Sequence, residues 1–500
     1  MIEPGGPLMS RTPLFAMLRR AAGIAAAARA SGAPPIDELA AMPLRRRALL
    51  AGAALAPLPL RAQPLPAARI AVVGTGLAGL VAAHRLVEAG ARDVTLYEAN
   101  RRSGGRVLSG RGVVGEGTLV ELGGSFINTD HAEMLALARE FSLTLEDGTA
   151  DPATAHIHIA GGTRGIAEIA AEAASLVTRL AALRAGGEAV KVAEDRRSAA
   201  ALLDALGVSG WLRSLLDIGL AQEMGQDPGA MSALYLIEYF APDPAQPRRG
   251  LFSSDQRYQI AGGNDRLTAA LAARLGARIR HGMRLDSLRP RGRAYALGFG
   301  GREVVADAVV VTLPATMLRQ VAIGVPLPPL TRRAIRELGY GRNAKLFAGL
   351  SARPWRAQGM SGETINDLGY QASWEDHGQP GSGPGTLTIF AGGAAGRDFG
   401  AGAAAGRVRA ATTAMEPVLP GIAAVFDGRA SRMHWPGNPY VGGSYSCFAP
   451  GQYAGFAGAW ASVGRLVFAG EHTSEAHSGY MNGGAESGRI AAEQVIALLR

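Results

Sequence analysis

Three glycines and one carboxylate are the residues of this sequence best placed to do chemistry. Gly74, Gly76 and Gly79 stand in G-x-G-x-x-G spacing directly after the apolar run Arg69–Val73. Gly74 permits a tight turn, Gly76 lets a pyrophosphate approach the backbone, and Gly79 lets the following helix pack closely on the strand. The helical stretch 77–89 then turns its N-terminus toward that pyrophosphate, with free N–H groups and about half a positive charge. Glu98 closes a second strand, 93–97, and lies 19 residues after Gly79. At that separation a carboxylate meets a ribose hydroxyl pair. A glycine triplet alone says little in a chain with 68 glycines. The order strand, glycines, helix, strand, acid reads as a dinucleotide-binding βαβ unit.

Two further positions draw attention. The chain has 49 Arg but only two Lys, Lys191 and Lys345. Lys191 lies in the polar stretch KVAEDRR and reads as solvated. Lys345 lies in the apolar stretch AKLFAGL, where a compact ammonium does what a planar guanidinium cannot. Near the C-terminus a strand over 465–468 ends at Ala469-Gly470-Glu471, and a final helix begins near Gly483. Strand, acid and helix N-terminus again form a ligand-facing crevice. No metal site is expected: His156 and His158 share one strand face without a third ligand near in sequence. The single Cys447 excludes an intrachain disulfide and a cysteine-based zinc site. No G-x-S-x-G, G-x-x-x-x-G-K-[ST] or H-E-x-x-H occurs.

Five hundred residues, 48% hydrophobic and 19% charged, make a globular chain of two or more domains. The net charge is +9, of which residues 1–62 contribute +5, and no basic patch argues for nucleic acid. Residues 1–65 read as targeting and not fold. Arg45-Arg46-Arg47 precedes an Ala- and Leu-rich run to Leu60, and Leu60-Arg61-Ala62 offers a small-residue cleavage site. This is the outline of a twin-arginine export signal, with the export machinery as partner and the periplasm as destination. A cytoplasmic protein that starts at Met42, or that carries a plain Arg-rich tail, is the alternative. The apolar run is about 13 residues against about 20 for a bilayer, and no other stretch is long enough, so no stable membrane span is expected. Beyond it, 118–122 reads as a strand followed by Gly123-Gly124-Ser125. Residues 163–240 read as helices, clearest over 169–183 and 199–216. Strands are expected over 277–281, 283–288 and 304–312, and strands of a second sheet over 345–350 and 386–391.

Together these residues resemble the flavin-containing amine oxidase family of monoamine, polyamine and L-amino-acid oxidases. The matching stretches run from Ile70 to the C-terminus. They are the fingerprint through Glu98, Gly104-Gly105-Arg106, Glu121-Leu122-Gly123-Gly124, Lys345, Gly442-Gly443-Ser444-Tyr445, Phe468-Ala469-Gly470-Glu471 and Gly479-Tyr480-Met481-Asn482-Gly483. The resemblance implies an α/β chain with a discontinuous Rossmann-like FAD-binding domain over 66–145, 255–318 and 436–500. An α+β substrate domain, with a mixed or antiparallel sheet and helices, takes 146–254 and 319–435.

The resemblance also assigns roles. Gly74, Gly76, Gly79, Glu98, Gly123 and Gly124 would hold FAD. Arg106 would meet its pyrophosphate, Glu471 its ribityl chain, and Leu285, on the strand 283–288, its adenine. The helix opening at Met481 would aim its N-terminus at the flavin. Tyr445 and Tyr480 would flank the substrate, two ring faces that favour an amine electrostatically. Lys345 would hold a water near the flavin and stabilise negative charge as oxygen is reduced.

Two departures refine this. Monoamine oxidases carry the flavin on a cysteine just before the first of those tyrosines. Here Ser444 stands there, which implies non-covalent FAD. Many L-amino-acid oxidases place an arginine after the second Gly-Gly. Here Ser125-Phe126-Ile127-Asn128 follows, which argues against an amino-acid substrate. The implied activity is oxidation of a small-molecule amine to an imine, then an aldehyde or ketone, with oxygen as acceptor and hydrogen peroxide as product. The alternatives are an L-amino-acid oxidase, a flavin dehydrogenase or desaturase with another electron acceptor, and a non-catalytic flavin-binding scaffold.

Overall fold

The computed structural model describes residues 13–29, 33–41, 67–148, 154–241, 255–376, 379 and 381–500. The Arg45-Arg46-Arg47 pattern and the site at Ala62 lie outside the described residues. Among the described residues no helix is long and apolar enough to cross a membrane.

A five-stranded parallel sheet carries the glycine turn. Its order is Leu466–Phe468, Ala308–Val311, Arg69–Val73, Asp93–Glu98, Ile279–His281. Arg69–Val73, Ala308–Val311 and Leu466–Phe468 read as near-continuous apolar runs because both of their faces are covered. Alternate residues divide between two cores. Ile70, Val72, Ala308 and Val310 pack under the helices Leu77–Glu88 and Met481–Leu499, against Leu80, Val81 and Val495. Ala71, Val73, Val309 and Val311 pack on the other face against Leu288, Leu297 and Phe299. Those last three belong to a four-stranded sheet, ordered Arg302–Ala306, Ala294–Phe299, Ser287–Arg291, Ala322–Ile323. Its last strand lies just past residue 318.

Two expected strands come out differently. The run 304–312 divides at Asp307, whose carboxylate takes the Arg69 guanidinium at 2.8 Å. Arg302–Ala306 therefore joins the four-stranded sheet and Ala308–Val311 the parallel one. The stretch 283–288 becomes strand only from Ser287, because Gly282 turns the chain at φ 72°.

A seven-stranded sheet forms the second half. Its order is Phe426–His434, Ala344–Leu350, Gly385–Ala391, Ala372–Trp374, Met360–Asn366, Thr154–Ile159, Gly162–Thr163. All pairs are antiparallel except Met360–Asn366 with Thr154–Ile159. A helical layer with its own core completes the molecule, built on Ile166–Ala185, Gly210–Met224 and Leu234–Phe240.

Part of the amino-terminal stretch read as targeting and not fold, residues 13–29 and 33–41, is folded against the rest of the molecule. Pro13–Ala27 is a helix, with proline at the first position, where its missing N–H costs nothing. Leu18, Ala21, Ala22 and Ala25 follow the i, i+3, i+4, i+7 spacing of a buried stripe, and with Ile24 they enter the helical core. Ile36–Ala41 forms a second short helix beside it.

Candidate active site

The crevice opens beside Arg69–Val73, where the strand order of the parallel sheet reverses. The chain leaves Arg69–Val73 through Gly74, at φ +103°. A Cβ on Gly79 would lie 2.1 Å from the Gly74 carbonyl oxygen, so helix and strand meet as closely as the spacing requires. Gly76 lies bare against the Gly104–Gly105 turn, held by the Gly104 N–H on the Thr75 carbonyl at 2.8 Å. The helix Leu77–Glu88 has no side-chain cap, which leaves its first N–H groups for a ligand. Glu98 closes the adjoining strand at the crevice wall. Its carboxylate accepts from the Thr75 N–H and hydroxyl and from the Asn100 N–H.

Arg106 and Glu471 join the two ends of the chain. The Arg106 guanidinium donates to Glu471 at 2.9 Å and to the Ser444 carbonyl at 2.7 Å. Glu471 also accepts from the Ser446 N–H and hydroxyl and from the Gly479 N–H. Burial alone would raise its pKa. The charge of Arg106 and these donors hold it below the usual carboxylate range. The helix Met481–Leu499 starts here uncapped by any side chain, with Met481 and Gly484 in the crevice wall. It packs tightly on Leu77–Glu88, because a Cβ on Gly488 would sit 2.3 Å from the Ala78 carbonyl oxygen. Two helix N-termini thus face one cleft of about 1780 Å³, open mouth included.

Lys345 lies on the floor of the far end. It pairs across strands with Phe390 and Met433, so all three share the sheet face that lines the cleft. Its ammonium donates to the Glu121 carbonyl at 2.8 Å, the Gly123 carbonyl at 2.7 Å and the Ser125 hydroxyl at 2.6 Å. Those three bonds use all three ammonium protons. The cation therefore fastens the Glu121–Ser125 loop to the sheet and polarises the Ser125 hydroxyl. Burial pulls Lys345 down to about 8, against the opposing pull of Asp376 and Glu121. Burial likewise pushes Asp376 up to about 6.

Tyr445 and Tyr480 both line the same cleft. The Tyr445 hydroxyl donates to the Gln222 carbonyl at 3.1 Å, and the Tyr480 hydroxyl lies 3.5 Å from Glu223. His131 packs edge-on to Tyr480 at 5.3 Å. Burial, with His477 nearby, lowers His131 to about 3 and keeps it neutral.

The structure brings Gly74, Gly76, Glu98, Arg106, Gly123, Gly124, Lys345, Tyr445, Glu471, Tyr480 and Met481 to one cleft. Gly79 acts behind it, as a packing glycine. Leu285 stands apart: it follows the Gly282 turn into the core between the two sheets and does not line the cleft. Cys447 is also away from it, buried in the helical core. Sequence reasoning missed Ser125, Phe390, Met433 and Trp374. The strand alternation around Lys345 is the signal that finds Phe390 and Met433 once the strand pairing is known. It also missed Gln222 and Glu223, which only the helix stop at Gly225 announces.

The residues present fit a flavin dinucleotide. A Cβ on Gly123 would lie 1.8 Å from the Arg106 carbonyl oxygen, and one on Gly124 would meet Met481 at 2.7 Å. Bare backbone, two open helix N-termini and an acid at the strand end suit a flat, doubly phosphorylated ligand. The family model for flavin-containing amine oxidoreductases matches residues 77–496.

The chain belongs to that family.

Among the relatives of these amine oxidoreductases, a Mycobacterium tuberculosis protein named as a flavin-containing monoamine oxidase is 27% identical over 450 residues. The match covers 86% of this chain and 97% of that one. An L-amino-acid oxidase of Bothrops pauloensis is 25% identical, with 85% and 88% covered. Among solved structures, cyclohexylamine oxidase from Brevibacterium oxydans matches with a TM-score of 0.77 at 23% identity. Putrescine oxidase bound to putrescine matches with 0.76 at 19%. Each covers 86% of this chain and 99% of the other. The fold is that of the flavin amine oxidases, and the protein is an FAD-dependent amine oxidoreductase.

Proposed function

We propose that the substrate is an amine with no carboxylate beside its nitrogen, oxidised to an imine, with oxygen as acceptor and hydrogen peroxide as product. One observation carries this reading. Among the described residues, the only arginines lining the cleft are Arg102 and Arg106, both at the glycine-turn end and both already bonded. Lys345, the lysine lining the cleft, spends its protons on Glu121, Gly123 and Ser125. Among the described residues lining the cleft a substrate carboxylate finds no arginine or lysine that is not already bonded, and an α-amino acid would bury that charge at a cost of several kcal/mol.

Tyr445 and Tyr480 orient the amine between two ring faces. Gly123, Gly124, Arg106, Glu471 and the N-terminus of Met481–Leu499 would hold the flavin, which supplies the two-electron acceptor when bound. Lys345 places a fixed positive charge beneath Ser125, where oxygen chemistry would use it. With Ser444 at the position of the linking cysteine and Cys447 packed in the helical core, the flavin is held without a covalent bond. Acid precipitation should therefore leave the yellow colour in the supernatant.

The test is peroxide release from a panel of primary amines and L-amino acids, each followed by anaerobic reduction of the protein. Amines that turn over while their α-carboxylated counterparts do not support the reading. The reverse order sinks it. A protein reduced by amines but reoxidised only by a cytochrome or quinone would make the oxidase label wrong.

A further inference from the structure

The hydroxyl of Ser444, at the position the family resemblance gives to a flavin-linking cysteine, is used for something else here. It donates to Asn343 Oδ1 at 2.5 Å. The other end of that amide, Nδ2, donates to the Gln222 carbonyl at 2.9 Å. The same carbonyl takes the Tyr445 hydroxyl at 3.1 Å. A helix leaves its last carbonyls without partners of its own. At the end of Gly210–Met224 the Gly225 N–H meets the Ala221 carbonyl, and two side chains from elsewhere meet that of Gln222. A carbonyl oxygen has two lone pairs, so both are used.

The backbone closes the ring of bonds. The Gly341 N–H donates to the Tyr445 carbonyl at 2.8 Å, and the Ser444 N–H donates to the Gly341 carbonyl at 3.0 Å. Tyr445 is thus held at both ends, its main chain by Gly341 and its ring tip by a carbonyl that Asn343 also grips. The amide has one workable orientation, because reversing it would set its oxygen against the Gln222 oxygen. It also has little room to shift. A Cβ on Gly225 would lie 2.1 Å from Asn343 Oδ1, one on Gly392 3.0 Å from Nδ2, and one on Gly341 2.4 Å from Ser444 Oγ. Asn343, Ser444 and Gln222 are all buried.

We propose that Asn343 is a positioning residue for the amine site: it fixes the Gln222 carbonyl from which the Tyr445 ring hangs, and Ser444 in turn fixes Asn343. This rests on the reading of Tyr445 as a group that flanks the substrate. The Tyr445 hydroxyl takes no part in the reaction on this account. Asn343 sets the tilt of the ring face offered to the amine.

The test is a double-mutant cycle on the flavin-loaded protein, with Asn343→Leu, Tyr445→Phe and both together, and cyclohexylamine as the probe. Each single change should raise KM about five- to tenfold and alter kcat less than threefold. In the Tyr445→Phe background, Asn343→Leu should add less than about twofold, because contacting residues that act as one unit are not additive. Ser444→Ala should move KM in the same direction by less, and it replaces Asn343→Leu in the cycle if that variant does not fold. Fully multiplicative KM effects, or an unchanged KM in Asn343→Leu, would overturn the proposal. A second readout needs no substrate. With 3-fluorotyrosine in place of Tyr445, the fluorine resonance should be a single narrow line in the otherwise unmutated protein and should broaden or split in Asn343→Leu and in Ser444→Ala. The same narrow line in all three would overturn the proposal. Absence of turnover in the unmutated protein with every amine would instead refute the proposed function, and the fluorine line then decides whether Asn343 holds the ring.

Discussion

Replacing Lys345 by methionine separates its structural from its chemical work. The change keeps the length and apolar stem but removes the three donors to Glu121, Gly123 and Ser125. A charge-assisted hydrogen bond contributes about 1.5–3 kcal/mol. Against that gross loss stands the relief of a buried cation's desolvation, several kcal/mol. The net destabilisation should be about 1–4 kcal/mol, and the protein should still fold and bind flavin. The chemical loss should fall on one half-reaction. Reduction by amine, followed anaerobically by stopped flow, should change less than about threefold. Reoxidation on mixing with oxygen should slow about 100-fold, or about 2.7 kcal/mol, as for loss of one fixed electrostatic donor. Lys345→Arg should not rescue it, because a planar fork cannot meet three acceptors arranged around a point. Equal loss in both half-reactions would mean that Lys345 does not act on the oxygen step. The same group sets a pH dependence. Burial lowers Lys345 from 10.5 to about 8. Reoxidation should therefore fall as pH rises through about 8 and the charge is lost. Stability has the opposite sign: between about 8 and 10.5 the unfolded chain binds the extra proton, so this group makes folding more favourable as pH rises.

Other expectations follow from the same geometry. Gly123→Ala places a methyl 1.8 Å from the Arg106 carbonyl oxygen, so the variant should purify pale, with most of its flavin absorbance missing. Glu471→Gln leaves Arg106 without its buried partner and should cost about 3–5 kcal/mol, read as a lower Tm and faster loss of flavin on dialysis. Because the folded pKa of Glu471 is depressed, its contribution is complete above the ordinary carboxylate pKa and disappears as pH falls below it, so flavin retention should weaken toward acid pH in the native protein and show less acid dependence in the variant. Tyr480→Ala should lower the rate of flavin reduction about tenfold or more while reoxidation by oxygen stays within about threefold, measured by the same two-step stopped flow.

Much of the cofactor cleft is legible in the chain because it is made of local rules. Gly74, Gly76 and Gly79 obey a spacing whose reasons are steric, and a Cβ at Gly79 does meet the backbone at 2.1 Å. Lys345 was conspicuous by type alone. What the sequence hides is pairing over distance. Nothing near Asp307 says that it will bind Arg69 and divide one apolar run between two sheets. Gly282 gave a turn signal that competed with the apolar spacing of 283–288, and the turn won. The floor residues Phe390 and Met433 become cleft residues only through their register with Lys345. The packing of the amino-terminal helix is likewise hidden. Ala-rich, Arg-containing sequence upstream of a twin-arginine pattern reads as leader, and only tertiary packing reveals Leu18, Ala21 and Ala25 as core.

On the proposed function, one cleft presents an amine, and not an amino acid, to a bound flavin. Anaerobic mixing of the purified protein with matched pairs of a primary amine and its α-carboxylated counterpart tests it most directly. Absorbance at about 450 nm, the oxidised cofactor's band, should be lost with some amine and persist with its carboxylated partner. Loss with the amino acid and none with any amine would contradict it.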